Sequence, residues 1–185
     1  MQRIVVLGSS GAGKSTFARA LGAALDLPVV HLDALFWRPG WTEPEPEAFR
    51  AKVAAAVAGD RWVTDGNYVG RTGDLRLPRA DTVIFLDQPR WLCLTRVVWR
   101  WLTNFGRTRP DLAEGCPENF DRDFFLWIWN FERKHKARIL EIAGGYGLPV
   151  TRLRGDGEVA RFLAKVRAEA PLAGFAAQRS GSSEV

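Results

Sequence analysis

Ile4–Leu7 is an unbroken apolar run, and similar short, β-branched runs recur down the chain. They predict five strands, over Arg3–Leu7, Pro28–Leu32, Arg61–Thr64, Thr82–Leu86 and Val150–Leu153. Runs this short, without polar alternation, are the pattern of strands covered on both faces. Between them, apolar positions fall three and four apart, predicting helices over Lys14–Leu25, Glu45–Ala58, Pro89–Leu102, Phe120–Ala143 and Glu158–Ala168. Phe49, Val53 and Val57 mark one face of the second of these, Pro89 opens the third, and Gly144-Gly145 closes the fourth. Strands alternating with helices predict an α/β fold, a parallel sheet covered by helices with right-handed crossovers. One connection, 103–119, has no clear period and is of a length usually found in lids and binding loops. From Pro171 the chain turns Gly-, Ser- and Ala-rich, so residues 1–170 are expected to form one domain and 171–185 a disordered tail. No internal repeat is visible.

Composition narrows the class. Of 185 residues, 46% are hydrophobic and 25% charged, the proportions of a globular domain rather than a disordered or fibrous chain. Such a chain can bury roughly 70% of its unfolded surface without help from disulfides or metal. The two cysteines, Cys93 and Cys116, form no disulfide framework and suit a reducing compartment. No signal peptide is expected, and the tryptophan-rich stretch Trp91–Leu102 is broken by Arg96 and Arg100, so a cytoplasmic protein without a membrane span is the expectation. The net charge of +5 is uneven: residues 1–89 hold 10 basic and 10 acidic groups, 90–140 hold 10 and 6, and 141–185 hold 6 and 5. The basic excess is interleaved with carboxylates and forms no polybasic tract, which argues against nucleic acid as a partner.

The first strand runs into Gly8-Ser9-Ser10-Gly11-Ala12-Gly13-Lys14-Ser15, a full match to G-x-x-x-x-G-K-[ST]. Between a strand and a helix this spacing has a chemical reason. Glycines let consecutive backbone N–H groups turn inward around a phosphate, and the helix start adds the positive end of its dipole. Gly8, Ser9, Gly11, Ala12 and Gly13 would form the cradle, with Lys14 on the β- and γ-phosphates. Ser15 would complete the shell of a Mg²⁺ ion, and Thr16 would touch the α-phosphate. By accident the pattern should occur in roughly one chain of this length in a hundred.

The opening IVVLGSSGAGKSTFARAL with HLDALFW resembles the nucleoside-monophosphate kinase group of P-loop proteins. More narrowly, HLDALFWRPGW (31–41), WVTDGNY (62–68), DTVIFLDQPRW (81–91) and CPENFDRDFFLWIWNF (116–131) resemble the adenylate-kinase-related "topology modulation" proteins. The resemblance spans about residues 1–154. It implies a P-loop NTPase fold, with a five-stranded parallel sheet in the order 2-3-1-4-5 and a small helical lid at about 103–119. It also implies ATP and Mg²⁺ as cofactors, and phosphoryl transfer to a small acceptor, a nucleotide or another hydroxylated metabolite. It supplies no acceptor. Two other readings stand beside it: a nucleotide-binding regulator without an acceptor, and a DNA-topology-associated factor.

The acceptor side is expected from residues that end strands, where open α/β sheets bind ligands. In the resembled kinases an acid at the position of Asp33 meets the acceptor hydroxyl or the Mg²⁺ water shell, a role a carboxylate beside the γ-phosphate suits. A helix cap or a salt bridge is the plain alternative. Asp65 and Asn67, around Gly66, either face substrate or make a turn. Asp87 ends its strand in the manner of a Walker B acid, whereas His31 reads as structural. Phosphoryl transfer also needs cations, for which Arg96 and Arg100, four apart on one helix face, are candidates with Arg133. Arg107, Arg109 and Arg138 come from the same regions. Most of the eight tryptophans read as packing, while Trp37 and Trp41, just after Asp33, are placed to wall a substrate ring. Cys116, alone in the lid, excludes a four-cysteine zinc site.

Overall fold

The computed structural model describes residues 1–108 and 111–169. Its centre is one all-parallel sheet in the order β2-β3-β1-β4-β5, from β1 (Arg3–Gly8), β2 (Val29–His31), β3 (Trp62–Asp65), β4 (Thr82–Asp87) and β5 (Val150–Arg154). Successive β1 side chains point to opposite faces. Ile4 and Val6 pack with Phe17, Ala18 and Leu21, while Val5 and Leu7 pack with Val57, Trp62 and Leu77. Both faces are therefore dry, which is why the strand needs an uninterrupted apolar run.

The helices are α1 (Lys14–Leu25), α2 (Leu32–Phe36), α3 (Pro46–Ala56), α4 (Val69–Arg76), α5 (Arg90–Asn104), α6 (Arg122–Lys134), α7 (Lys136–Gly144) and α8 (Gly155–Glu169). Their boundaries have local causes. Pro46 stands in the first turn of α3, and the Asp121 side chain caps α6 by accepting from the backbone N–H of Asp123 and Phe124 at 2.9 and 3.1 Å. α1 and α8 pack together, with Phe17 and Phe162 ring centroids 6.0 Å apart. Among the described residues no helix is long and apolar enough to cross a membrane.

Four departures from the sequence pattern matter for the site. The helix expected over Phe120–Ala143 is two, broken at His135, and the break brings Lys136 within 2.6 Å of Asp87. The second strand stops at His31, so Asp33 does not end a strand but stands in the first turn of α2. α4 lacks an apolar stripe and buries Thr72, Gly73 and Arg76 instead, which is why periodicity misses it. Of the segment expected as a small helical lid, residues 103–104 belong to α5, and 105–108 and 111–119 form no helix; the expected tail lies outside the described residues, as does Arg109.

Candidate active site

The phosphate loop leaves the carboxyl end of β1, at the middle of the sheet, where crossovers diverge to either side. Gly11 has φ +78°, and a Cβ built there would collide with the carbonyl oxygen of Cys93 on α5. Glycine is required by both space and backbone, and its absence of side chain lets α5 lie directly against the loop. Gly13 caps α1 in the left-handed region, with no side-chain cap and no acid in the first turn. The helix thus begins with unclaimed N–H donors and its dipole unopposed, which suits an anion. Lys14 folds back to donate from Nζ to the Ser9 carbonyl at 3.0 Å. Burial lowers its pKa, with Asp33 and Asp65 acting in the opposite direction.

The loop opens on a cleft of about 960 Å³. Its floor is the run Ser10–Phe17, so Gly11, Ala12, Gly13, Lys14, Ser15 and Thr16 all line it. Gly8 and Ser9 lie behind them, at the strand end. Asp33 stands on the wall, accepting at Oδ1 from the Tyr68 hydroxyl at 2.8 Å. Burial and the Asp33 charge push the Tyr68 phenol far up, so it stays a donor. Arg96 and Arg100 also line the cleft. Arg96 forms an ion pair with Asp156 at 2.6 Å, and Arg100 Nε with Glu118 Oε1 at 2.9 Å. The adjoining wall comes from α8, through Val159 and Leu163. Sequence reasoning gave no role to Tyr68, although it ends the WVTDGNY stretch, and passed over Arg19, Asn104, Asp111 and Asp156, which sit in no motif.

Other candidates lie elsewhere. Arg133 is on the exposed face of α6, outside the cleft. Trp37 does not line it either; its ring packs edge-on against Phe36 and Trp41, at centroid distances of 4.9 and 5.4 Å. Asn67 accepts at Oδ1 from the Gly8 N–H at 3.1 Å, tying the segment after β3 to the phosphate loop. That segment is held from below by Arg76, which is fully buried and donates to Thr64 Oγ1 and to the Gly66 and Asn67 carbonyls at 3.4, 3.4 and 2.7 Å. Asp87 is engaged by Lys136 and Arg152, each at 2.6 Å. Burial alone would raise the Asp87 pKa, but these two cations outweigh it and hold the carboxyl low.

Asp65, buried at the end of β3, meets His31 across the strand pair, Oδ1 to Nδ1 at 2.6 Å. That hydrogen bond raises the His31 pKa above its usual value. A group whose folded pKa is raised stabilises fully below its unfolded value, about 6.5, and loses that contribution as pH rises through the folded value. The stability gap between the native protein and His31→Gln should therefore be widest below about pH 6.5 and close as the medium turns alkaline. Thermal melts of both proteins across that range would show it, and a gap independent of pH would mean that folding leaves the His31 pKa unchanged.

No protein-family model matches the chain, and no curated protein matches it in sequence. Solved structures do match in fold. A gluconokinase from Sinorhizobium meliloti 1021 is 18% identical with a TM-score of 0.52, over 90% of each chain. Shikimate kinase from Acinetobacter baumannii, solved with shikimate, is 15% identical with a TM-score of 0.55, again over 90% of each chain. Shikimate kinase from Bacteroides thetaiotaomicron is 16% identical with a TM-score of 0.55, over 90% of this chain and 97% of that one. The chain shares the α/β P-loop fold of these kinases, in the strand order that the family resemblance implies.

Proposed function

We propose that this protein transfers the γ-phosphoryl group of ATP to a hydroxyl of a small acceptor, a nucleotide or another hydroxylated metabolite. The observation that carries the reading is a shared cleft: a phosphate loop, two arginines and a carboxylate open on one space of about 960 Å³. The small-molecule kinases among the structural neighbours agree with it. So does the narrower resemblance to the topology modulation proteins, which leaves the acceptor open.

Each residue then has a task. ATP bound with Mg²⁺ supplies the phosphoryl group and a metal that draws charge from its oxygens. The loop N–H groups and the start of α1 hold the phosphates, and Ser15 and Thr16 offer hydroxyls to the metal and the α-phosphate. Lys14 leaves the Ser9 carbonyl for the β- and γ-oxygens. Arg96 and Arg100 neutralise charge that spreads over the travelling group, where positioned cations act most strongly. Asp33 keeps Oδ2 for the acceptor: it takes the hydroxyl proton as the new O–P bond forms and the bond to ADP breaks. Tyr68 holds Asp33 in place through Oδ1. A pure nucleotide sensor would need no acid on this wall.

Asp33→Asn separates the two readings. ATP affinity should stay within about threefold, because the loop and Lys14 carry it, while transfer should fall by about 10²–10⁴ for loss of a positioned base. Both are measurable once a panel of nucleoside monophosphates, nucleosides and sugar acids has been screened for ATP consumption. Unchanged transfer would make Asp33 a helix-turn residue and favour the regulator.

A further inference from the structure

Among the described residues, eight of the ten exposed large hydrophobic side chains fall between Trp91 and Trp129. α5 buries Cys93 and Val97 in the core yet carries a second apolar face outward. Its arginines Arg96 and Arg100 face the cleft, where they are paired with Asp156 and Glu118. Its outward stripe, Trp91, Thr95, Val98 and Leu102, follows helical spacing and holds no charge. Trp91 and Trp99 are 62% and 69% exposed. α6 runs alongside: Trp101 and Phe120 centroids are 5.4 Å apart at one end, and Arg90 lies 4.3 Å over the Trp129 ring at the other. The two helices are therefore antiparallel and present one continuous face, to which α6 adds Leu126 and Trp129.

We infer that this face is the two-fold interface of a homodimer. Its size fits one. At roughly 150–250 Å² per large aromatic side chain, the half-exposed set offers on the order of 900 Å². That exceeds the roughly 300–600 Å² of the largest patch on a typical monomer, and matches the ~800 Å² each partner contributes to a standard interface. Its charge also fits. An uncharged central stripe lets two copies of α5 meet without burying an ion, whereas an anionic lipid surface or an acidic partner would call for cations on that stripe. Arg90, Arg133 and Lys134 stand at one end of the face; Asp121 and Asp123, flanking Arg122, stand at the other. A two-fold axis through mid-α5 lays the basic end of one copy over the acid pair of its partner. Val98, near the helix midpoint, then lies close to the axis. The reverse side of each paired helix holds the cleft arginines, so pairing fixes the element that presents them.

Sedimentation of the full chain at tens of micromolar should give twice the chain mass, a concentration at which interfaces of this size associate. Leu102→Glu should weaken association by about 30-fold or more, as for a central interface residue, with an unchanged circular dichroism spectrum. Val98→Cys tests the geometry without adding a charge: both native thiols are buried, so mild oxidation should yield a covalent dimer through position 98 alone. A native chain that sediments as a monomer overturns the proposal, including one captured by phosphatidylserine vesicles. A dimer that persists in Leu102→Glu and does not cross-link through Cys at 98 overturns it as well.

Discussion

Lys14→Ala protein should remain folded and lose phosphoryl transfer by at least about 10³. The magnitude follows from the role. Removing one preorganised donor from a transition state costs about 10²–10³, and a full cation on a transferring phosphoryl group is worth about 10³–10⁵. Stability should move little. The Lys14 ammonium makes one hydrogen bond, to the Ser9 carbonyl, while Phe17, Ala18, Leu21 and Gly22 anchor α1 in the core. The lowered pKa of Lys14 points the same way, since burial already disfavours its charge before a phosphate arrives. ATP consumption with the true acceptor, set beside a thermal melt, measures both. A variant within tenfold of the native rate would end the phosphoryl-transfer reading at its strongest point.

The largest loss of stability should come from Arg76, a residue that touches no ligand. Burial lowers its pKa to about 10, with Asp65 opposing, so it is charged at neutral pH. Among the described residues no carboxylate comes within ion-pair distance of it; its two terminal nitrogens donate to the Thr64 hydroxyl and two carbonyls, while Nε has no partner. Arg76→Met removes the cost of burying the charge but strands the buried Gly66 carbonyl and the half-buried Asn67 carbonyl. At about 1–3 kcal/mol for each unpaired group, partly offset by the relieved desolvation, a net loss of about 2–4 kcal/mol is expected. For a chain of this size that lowers Tm by roughly 5–15 °C. Transfer should fall too, because the segment Asp65–Tyr68 carries both the Asn67 tie to Gly8 and the Tyr68 hydroxyl on Asp33. Arg76→Lys keeps the charge without the fork and should recover only part of each loss. A stability change under about 1 kcal/mol would show that the segment holds itself.

What the sequence made legible is what is local. The glycine-rich turn between β1 and α1 could be read because its glycines, Lys14 and Ser15 fall within eight residues, and each β1 position advertises two buried faces. Arg96 and Arg100 were legible as a pair because four residues make one helix face. Their carboxylate partners were not, since Asp156 lies 60 residues on and reaches Arg96 only through the packing of α8. Tyr68 and Asp33 meet across 35 residues. Asp87 shows the opposite failure. An acid after an apolar run reads as a Walker B acid, but the β4–β5 register sets Arg154 beside it and the break before Lys136 supplies another cation. That break was hidden because the apolar period of α6 carries on through α7. α4 was hidden because its buried face is Thr, Gly and Arg, which no hydrophobic template detects.

The packing of α8 on α1 has a consequence for the order in which the protein is made. The phosphate loop is complete once Ser15 has been added, but the cleft's far wall, Val159 and Leu163, belongs to the last helix described. Until that helix is made, Phe17 and Leu21 of α1 lack part of their apolar cover, and Arg96 lacks Asp156. At about 5–20 residues per second, the stretch from Lys14 to Glu169 takes roughly 8–30 s to synthesise. For that interval the nascent chain carries the glycine-rich loop with no cleft around it and a sticky helix beside it. A ribosome stalled before Gly155 should therefore display a chain unable to hold nucleotide and prone to chaperone capture, and release of the remaining helix should end both conditions together.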